Sequence, residues 1–250
     1  MKKYLIIIIT LLLSYIFGQN GYEIAKSADE RETPKDMTTD LSMILTNKKG
    51  RTRTSTLHSV SKDNAEKQII WFLAPADDKG VAFLKIEHEG ADDEMRLWLP
   101  AFNKVRRISS NQKSDSFMGS DMSYEDMTSR TLDEYSYELL GEELLDDVLC
   151  FKLEITPKPE AESNYSKFIT WISKDEYLTL QEESYDKSGR LEKVRTIKYA
   201  EQKGYIIPNE IFVINVQREH STLLTFDELK LDTGIEDNLF QEKNLKRLPR

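Results

Sequence analysis

Residues Asp40–Thr46 read DLSMILT, and apolar and polar side chains alternate along them. Leu41, Met43 and Leu45 therefore share one face of an extended chain, while the residues between them are mostly polar. An alternation with a period of two is typical of a β-strand that buries one face. Because the same alternation returns along most of the sequence, we predict a mainly β fold.

Turn signals separate the alternating stretches. They combine glycine with lysine, asparagine or aspartate and lie at Asn47–Gly50, Asp77–Gly80, Glu89–Asp92, Asp186–Gly189 and Gln202–Gly204. We predict strands near Thr38–Thr46, Thr52–Ser61, Lys67–Leu73, Val81–Glu87, Met95–Leu99, Lys104–Ser109, Tyr135–Glu142, Val148–Thr156, Lys167–Ser173, Thr179–Tyr185, Glu192–Tyr199, Glu210–Gln217 and Ser221–Lys230. Short turns between consecutive strands predict an antiparallel meander and argue against a doubly wound parallel sheet. Since no repeat or low-complexity linker divides the chain, we expect one domain over residues 19–250.

Two segments depart from the alternation. Tyr22–Arg31 has loose helical spacing, and Pro34 ends the predicted helix. Asn111–Asp133 is rich in serine, aspartate and methionine, so we predict a long excursion with short helical pieces. Such a connection is either a functional lid or a cap over an open sheet edge, and the sequence leaves both interpretations open.

The N-terminus has the pattern of a secretory signal peptide. Lys2 and Lys3 precede an uncharged apolar run over Tyr4–Phe17, which Gly18 follows. The run is shorter than the roughly 20 apolar residues that a membrane-spanning helix needs. We expect residues 1–18 to be removed on export to the periplasm, and a retained anchor is the alternative.

Charge and cysteine content narrow the class of protein. The chain has 35 basic and 44 acidic residues and a net charge of -9, which becomes -11 in the predicted mature form. We therefore expect no nucleic-acid partner. The single cysteine, Cys150, cannot form an intramolecular disulfide, and no cysteine near Gly18 is available for acylation. We expect Cys150 to be an inert strand residue and the protein to be soluble rather than lipid-anchored.

The sequence lacks the motifs of catalysis and cofactor binding. His58, His88 and His220 are scattered, without carboxylate or cysteine at metal-ligand spacing. A nucleophile elbow, a phosphate loop and a dinucleotide glycine pattern are all missing. We therefore expect no enzymatic activity, no metal and no cofactor.

A small basic cluster of Lys104, Arg106 and Arg107 follows the proline turn at Pro100. One interpretation is a docking site for an acidic partner or a lipid headgroup. The other, which we favour, is a charged edge strand that resists aggregation.

Large apolar side chains exceed what the few predicted helices can cover. They include Trp71, Phe72, Phe83, Trp98, Phe102, Phe151, Phe168, Trp171 and Phe212. A curved sheet with an apolar concave face has to be covered by helices, by the Asn111–Asp133 excursion or by a ligand such as an acyl chain. Strand parity predicts that the ligand-binding side chains are Leu41, Met43, Met95, Leu97, Leu99, Leu149, Phe151, Leu153 and Ile155.

Several stretches resemble one known family. They are Trp71–Pro75 (WFLAP), Arg96–Ala101 (RLWLPA), Lys104–Ile108 (KVRRI), Phe117–Asp126 (FMGSDMSYED), Leu239–Phe240 and Leu245–Arg247. Together they span nearly all of the predicted mature chain, which resembles the outer membrane lipoprotein-sorting family related to LolA. The Gly-Ser-Asp-Met-Ser-Tyr-Glu-Asp core is the most specific part of the resemblance.

The resemblance implies an unclosed, strongly curved antiparallel β half-barrel, with short helices forming a lid over an apolar cavity. It implies a periplasmic carrier that shields the acyl chains of lipids or lipoproteins and transfers them towards the outer membrane. It also suggests an inner-membrane exporter of the resistance-nodulation-division type as a partner, and it supplies no catalytic residue. A non-carrier adaptor subunit of a transporter complex is the alternative.

The motif that carries the resemblance is expected to belong to the lid. Its residues are Gly119, Ser120, Asp121, Tyr124, Glu125 and Asp126. We expect Gly119 to reverse the chain and Ser120 or Asp121 to cap a short helix. Glu125 and Asp126 would then lie in the first helical turn, where negative charge is favourable.

Overall fold

The computed structural model describes residues 20–88 and 90–249, so the predicted signal peptide and the predicted first mature residue, Gln19, lie outside the described residues. One antiparallel sheet contains β1 (Asp36–Thr46), β2 (Thr52–Lys62), β3 (Lys67–Ala74), β4 (Ala82–Ile86), β5 (Glu94–Leu99), β6 (Lys104–Ile108), β7 (Tyr135–Leu145), β8 (Val148–Pro157), β9 (Tyr165–Ser173), β10 (Thr179–Asp186), β11 (Leu191–Gln202), β12 (Tyr205–Asn215) and β13 (His220–Leu231). The α-helices of the described residues are α1 (Gly21–Asp29) and α2 (Glu242–Leu245). Neither they nor any other helix in this part of the chain has the length and apolar character to cross a membrane.

The strand order leaves the sheet open. From edge to edge it is β6-β5-β4-β3-β2-β1-β13-β12-β11-β10-β9-β8-β7. β1 pairs with β13 in the middle, where Met43 lies opposite Leu224, and this pair joins two meanders. The edge strands β6 and β7 follow each other in the chain but do not pair. The predicted fold, a mainly β, unclosed antiparallel half-barrel, is confirmed.

The period of two along the strands builds an apolar layer on each face of the sheet. The concave layer of the first meander and the sheet centre contains Leu41, Met43, Leu57, Ile70, Phe72, Phe83, Met95, Leu97, Val213 and Leu224. On the convex face, Trp71 and Trp98 pack with Phe240 and Leu245 from the C-terminal segment. The side chains Ile69–Phe72 of β3 are therefore buried on both faces, which explains their uninterrupted apolar run.

Cys150 lies on the convex face of the second meander. It is buried with Ile169 and Trp171, opposite the concave side chains Phe151 and Leu153. Burial raises the pKa of the Cys150 thiol, so the thiolate is disfavoured at neutral pH. This position agrees with the inert strand residue that the alternation predicts.

Helix α1 covers the concave face of the second meander. The side chain of Asn20 caps the helix by accepting a hydrogen bond from the Glu23 amide at 2.8 Å. Ile24 is fully buried against β7, β8 and β9. Glycine is needed at Gly21, since a Cβ there would lie 2.7 Å from the backbone oxygen of Tyr137 in β7. The helix predicted near Tyr22–Arg31 is thus confirmed, with slightly shifted ends.

Residues 109–134, which we call the strap, run from edge strand β6 to edge strand β7 across the concave face. The strap contains single-turn 3-10 helices at Ser110–Gln112, Glu125–Met127 and Leu132–Glu134, as predicted for the long excursion. Phe117 of the strap is 2% exposed, and its ring centre lies 5.2 Å from that of Phe83 in β4. The strap is therefore a packed cover over the first meander and not a free loop.

The C-terminal segment is held by one buried carboxylate at the start of β1. Asp36 accepts hydrogen bonds from the amide and hydroxyl of Thr233 at 2.8 Å each, and from the amides of Gly234 and Ile235 at 2.9 and 3.1 Å. Burial alone would raise the pKa of Asp36, but these bonds hold it below its ordinary value. The ionised form therefore fixes the turn that leads to α2.

We predict that Asp36→Ala lowers the free energy of unfolding by about 3 kcal/mol, because it leaves several donors around a charged acceptor without their partner. Urea denaturation followed by circular dichroism measures the change. Asp77→Ala, which removes an exposed carboxylate in a turn, is the control and should change the free energy by less than about 0.5 kcal/mol. Equal effects of the two substitutions would contradict the anchoring role of Asp36.

Candidate binding cavity

A cavity of about 300 Å³ lies between α1, the strap and the concave face of the second meander. Its lining includes Ala25, Ala28, Asp29, Glu125, Asp126, Arg130, Leu132, Tyr135, Tyr137, Ile155, Tyr165, Phe168, Thr170, Ile172, Glu182 and Arg195. The volume is at the lower end of the range found for small-molecule sites. The cavity exists because the strap fills the concave face of the first meander and leaves space over the second.

One part of the lining is apolar and aromatic. Ile155 and Ile172 are 5% and 2% exposed, and Ala28 of α1 lies on the opposite side of the space. Burial raises the pKa of Tyr135 to about 12 and that of Tyr137 further, so both hydroxyl groups stay neutral at physiological pH. This part of the cavity is suited to a hydrocarbon chain.

Another part of the lining is a buried ion cluster centred on Glu182. Arg130 donates two hydrogen bonds to the carboxylate, at 2.6 and 2.8 Å, and Arg195 donates a third at 3.0 Å. The hydroxyl of Thr170 adds a fourth at 3.1 Å. Burial would raise the pKa of Glu182, but the two guanidinium charges and these bonds lower it to about 2. The guanidinium of Arg130 also lies 3.7 Å above the ring centre of Phe168.

A second polar cluster joins the strap to the sheet. The carboxylate of Asp126 accepts hydrogen bonds from Lys193 at 2.7 Å and from the Tyr165 hydroxyl at 2.9 Å. Lys193 also donates to the Tyr165 hydroxyl at 2.6 Å. Burial opposes ionisation of Asp126, yet the charge of Lys193 keeps the Asp126 pKa below its ordinary value. This part of the strap is thus attached to β9 and β11 by an ion pair.

The structure distributes the predicted ligand-binding side chains over several environments. Ile155 lines the cavity, and Phe151 and Leu153 pack in the core beside it. The residues Leu41, Met43, Met95 and Leu97 are buried under the strap, and Leu99 packs against that core. Leu149 is 44% exposed near the tip of the β7–β8 hairpin. Their part in ligand binding stays a prediction, and only Ile155 of this set lines the cavity.

The motif residues of the strap have identifiable structural roles. Gly119 has a φ of +81° in the turn that the Ser120 amide closes onto the Phe117 carbonyl, so the predicted chain reversal is present. Tyr124 is buried beside Phe117. Glu125 accepts hydrogen bonds from Ser163 and Asn164 in the β8–β9 connection.

The prediction that Ser120 or Asp121 caps a short helix is wrong. Asp121 accepts hydrogen bonds from the Thr222 hydroxyl and the His220 ring, both at 2.7 Å, and so attaches the strap to β13. Ser120 bonds to backbone atoms of Met122 instead. The side chains of Ser123 and Asp126 each accept a hydrogen bond from the other's amide, which fixes the chain at the start of the 3-10 turn. Glu125 and Asp126 do lie in its first turn, as expected.

Sequence reasoning singled out Glu125 and Asp126 of the cavity lining but missed the charged side chains on the strands. Glu182, Lys193 and Arg195 lie on strands with polar side chains on both faces, so the alternation does not show which face is buried. The register brings Glu182 opposite Arg195 across β10 and β11. A cation opposite an anion on neighbouring strands would have indicated this ion pair, but the pattern can be recognised only once the strand pairing is known.

The other residues singled out in the sequence lie away from the cavity. Lys104, Arg106 and Arg107 are exposed on edge strand β6, in agreement with the charged-edge interpretation, and Phe102 beside them is 76% exposed. His58 pairs with Asp40 at 2.6 Å. Within residues 20–88 and 90–249, no group of three or more histidine, cysteine or acidic side chains could hold a metal ion.

We predict that Glu182→Gln lowers the free energy of unfolding by about 3 kcal/mol at pH 7, because two partly buried guanidinium groups lose the buried carboxylate that pairs with them. Glu183→Gln on the neighbouring position of β10 is the matched control, since Glu183 interacts with Tyr185 instead. Chemical denaturation measures both variants.

The acid dependence of stability tests the same cluster. A carboxyl whose pKa is lowered by folding stabilises the protein above its unfolded pKa, near 4.3, and this stabilisation is lost as the pH falls to the folded value of about 2. Between about pH 4.3 and about pH 2, the free energy of unfolding of the parent should fall by about 3 kcal/mol more than that of Glu182→Gln. Parallel curves for the two proteins would show that Glu182 is not held ionised.

Comparisons with known proteins agree with this geometry. A family model described only as an uncharacterized protein matches residues 64–247, and no curated protein matches the chain. An outer membrane lipoprotein-sorting protein domain from Vibrio parahaemolyticus is 33% identical, with 91% of this chain and 98% of that chain covered and a TM-score of 0.85. A DUF1329 family protein from Desulfovibrio piger is also 33% identical, with 90% and 97% covered and a TM-score of 0.84.

A LolA superfamily protein from Nitrosomonas europaea shares the fold at 20% identity, with 90% of this chain and 99% of that chain covered and a TM-score of 0.72. The overall fold is therefore a known architecture. The chain belongs to the outer membrane lipoprotein-sorting protein family and has the fold of the LolA superfamily.

Proposed function

We propose that the protein is a non-enzymatic periplasmic carrier that shields the acyl chain of a lipid or lipoprotein and transfers it towards the outer membrane. The observation that supports the proposal is the cavity between α1, the strap and the second meander, with Ile155, Ile172 and Phe168 in its lining. Removing one methylene group from water stabilises the bound state by about 0.8 kcal/mol, so even a medium-length chain gains enough to bind.

Other observations support the proposed compartment and the proposed transfer. The N-terminal pattern, with Lys2 and Lys3 before an apolar run, supports export. A relative at 33% identity is described as a lipoprotein-sorting protein domain, which supports lipidated cargo. Partnership with an inner-membrane exporter of the resistance-nodulation-division type follows from the family resemblance alone.

Helix α1 is the element that we propose to move when the cavity is loaded. Its contacts with the sheet are mostly apolar, through Ile24 and Ala25. The strap, by contrast, is fixed by buried polar contacts such as those of Asp121 and Asp126. Because apolar contacts can be remade with an acyl chain, displacement of α1 costs less than release of the strap.

We predict that the purified mature protein binds a fluorescent acyl probe and that Ala28→Phe weakens binding at least tenfold. The phenyl ring would occupy the cavity beside Ile172, where the chain is proposed to lie. Glu23→Phe places the same ring on the exposed side of α1 and should bind the probe as the parent does. Circular dichroism confirms that both variants fold.

Mass spectrometry of solvent extracts from the purified protein provides a second measurement. A carrier should release bound lipid, whereas a non-carrier adaptor should release none. Empty extracts together with the absence of probe binding to the parent would contradict the carrier and leave the adaptor.

We also predict that hydrogen exchange is faster in α1 than in the strap. Peptides covering residues 21–29 should exchange before those covering 120–127, and saturation with the acyl probe should slow the exchange of α1 selectively. Peptides from the doubly buried strand β3 provide the slow reference. Exchange of the strap ahead of α1 would mean that the strap is the moving element.

A further inference from the structure

The ion cluster in the cavity contains more positive than negative charge. Arg130 and Arg195 both bind the single carboxylate of Glu182. The nearby charges of Asp126 and Lys193 form a pair of their own. The Glu182 cluster therefore contains two guanidinium charges and one carboxylate charge.

The surplus donor capacity belongs to Arg195. Arg130 uses two nitrogen atoms in its fork-like contact with Glu182, while Arg195 donates to Glu182 through Nη2 only. The Nε of Arg195 is inaccessible to solvent and has no hydrogen-bond partner. The Arg195 side chain as a whole is 28% exposed and lines the cavity, so a ligand acceptor can approach the guanidinium at an edge other than Nε.

Two further carboxylates, those of Glu125 and Asp29, line the cavity outside this cluster. Glu125 is engaged by Ser163 and Asn164 of the β8–β9 connection. Asp29 lies at the exposed end of α1. Arg31, just beyond α1, lies over the ring of Tyr199, 6.0 Å from its centre, and adds a further cation on the side of β11.

We propose that the cavity binds an amphiphile with one anionic group, a carboxylate or a phosphate, and that Arg195 is the residue that binds this group. The inference rests on the proposed carrier function and specifies the ligand class for the same cavity. The hydrocarbon chain lies along Phe168, Ile172 and Ile155, and the anion meets the guanidinium beside Glu182. Glu182 keeps Arg195 oriented in the absence of the ligand.

This assignment uses two properties of arginine. Its planar guanidinium can bind two acceptors on different edges, so Glu182 and a ligand anion need not compete for one nitrogen. A charge-assisted hydrogen bond in a partly buried site is stronger than one between neutral groups. A neutral amphiphile with the same chain gains only the apolar part of the interaction.

The test compares decanoate, decyl phosphate and decanol, each measured by displacement of a neutral fluorescent probe at pH 7.5. We expect the parent to bind both anions roughly tenfold more tightly than decanol, the ratio that one charge-assisted hydrogen bond supplies. Arg195→Gln should abolish this preference for the two anions over decanol. Arg195→Lys should retain part of it, and Lys198→Gln, on the exposed face of the same strand, should retain all of it.

The outcomes separate the inference from the function on which it rests. Equal affinity of the parent for decanol and decanoate would overturn the headgroup assignment and leave the carrier intact. Failure of all three amphiphiles to bind the parent would overturn both. Acetate or inorganic phosphate that binds as tightly as the amphiphiles would identify a site for free anions and overturn the amphiphile assignment. The ratio of the parent's affinities for decanoate and decanol tests the headgroup assignment even if Arg195→Gln fails to fold.

Discussion

The attachment of the strap to both halves of an unclosed sheet is the interaction on which the rest of the structure depends. The chain has to pass from edge strand β6 to edge strand β7, and the strap does so over the apolar concave face. Asp121 attaches the strap to β13, and Asp126 attaches it to β9 and β11. On the other side, Lys85 of β4 donates to the Met127 carbonyl at 2.7 Å. Because these groups are buried, the loss of any one contact leaves a polar group without a hydrogen-bond partner. Each such loss lowers the stability of the protein by about 1–3 kcal/mol.

This attachment divides the concave face into two parts. Over the first meander, Phe117 and Tyr124 of the strap pack with Phe83 and complete a closed core. Over the second meander, Thr128, Arg130 and Leu132 of the strap line the cavity, and α1 covers the remaining space. The same segment thus fills one half of the sheet and forms one wall of the cavity over the other. A shorter connection could not reach both meanders, which accounts for the length of the excursion.

The sequence predicted those features that depend on neighbouring residues. The alternation in Asp40–Thr46 and its counterparts predicted every strand of the sheet, because side-chain parity is a local property. The start of β12 at Tyr205 and the short helix α2 were missed. The pairing of β1 with β13, about 180 residues apart, could not be predicted, since it depends on the closure of two meanders and not on a local pattern.

The candidate site was less predictable for a related reason. The bond between Asp121 and His220 joins residues 99 positions apart, so the aspartate could be interpreted only as a local helix cap. Leu97 and Ile155 both follow the concave parity, but the strap covers one and leaves the other beside the cavity. Parity determines the face of the sheet, whereas the path of the strap determines which part of that face is open.

Buried charge in the cavity is compatible with an apolar ligand because the charge is already paired. Desolvating Glu182 costs several kcal/mol, and the two guanidinium groups and Thr170 offset that cost before any ligand enters. Well-packed apolar side chains in place of such a cluster are often as stable or more so, and stability alone therefore does not account for the cluster. It gives the cavity a polar end and a hydrocarbon end, with Phe168 between Arg130 and the apolar wall. The opposite arrangement would place hydrocarbon against ionised groups, so an amphiphile of the proposed class would bind in one orientation.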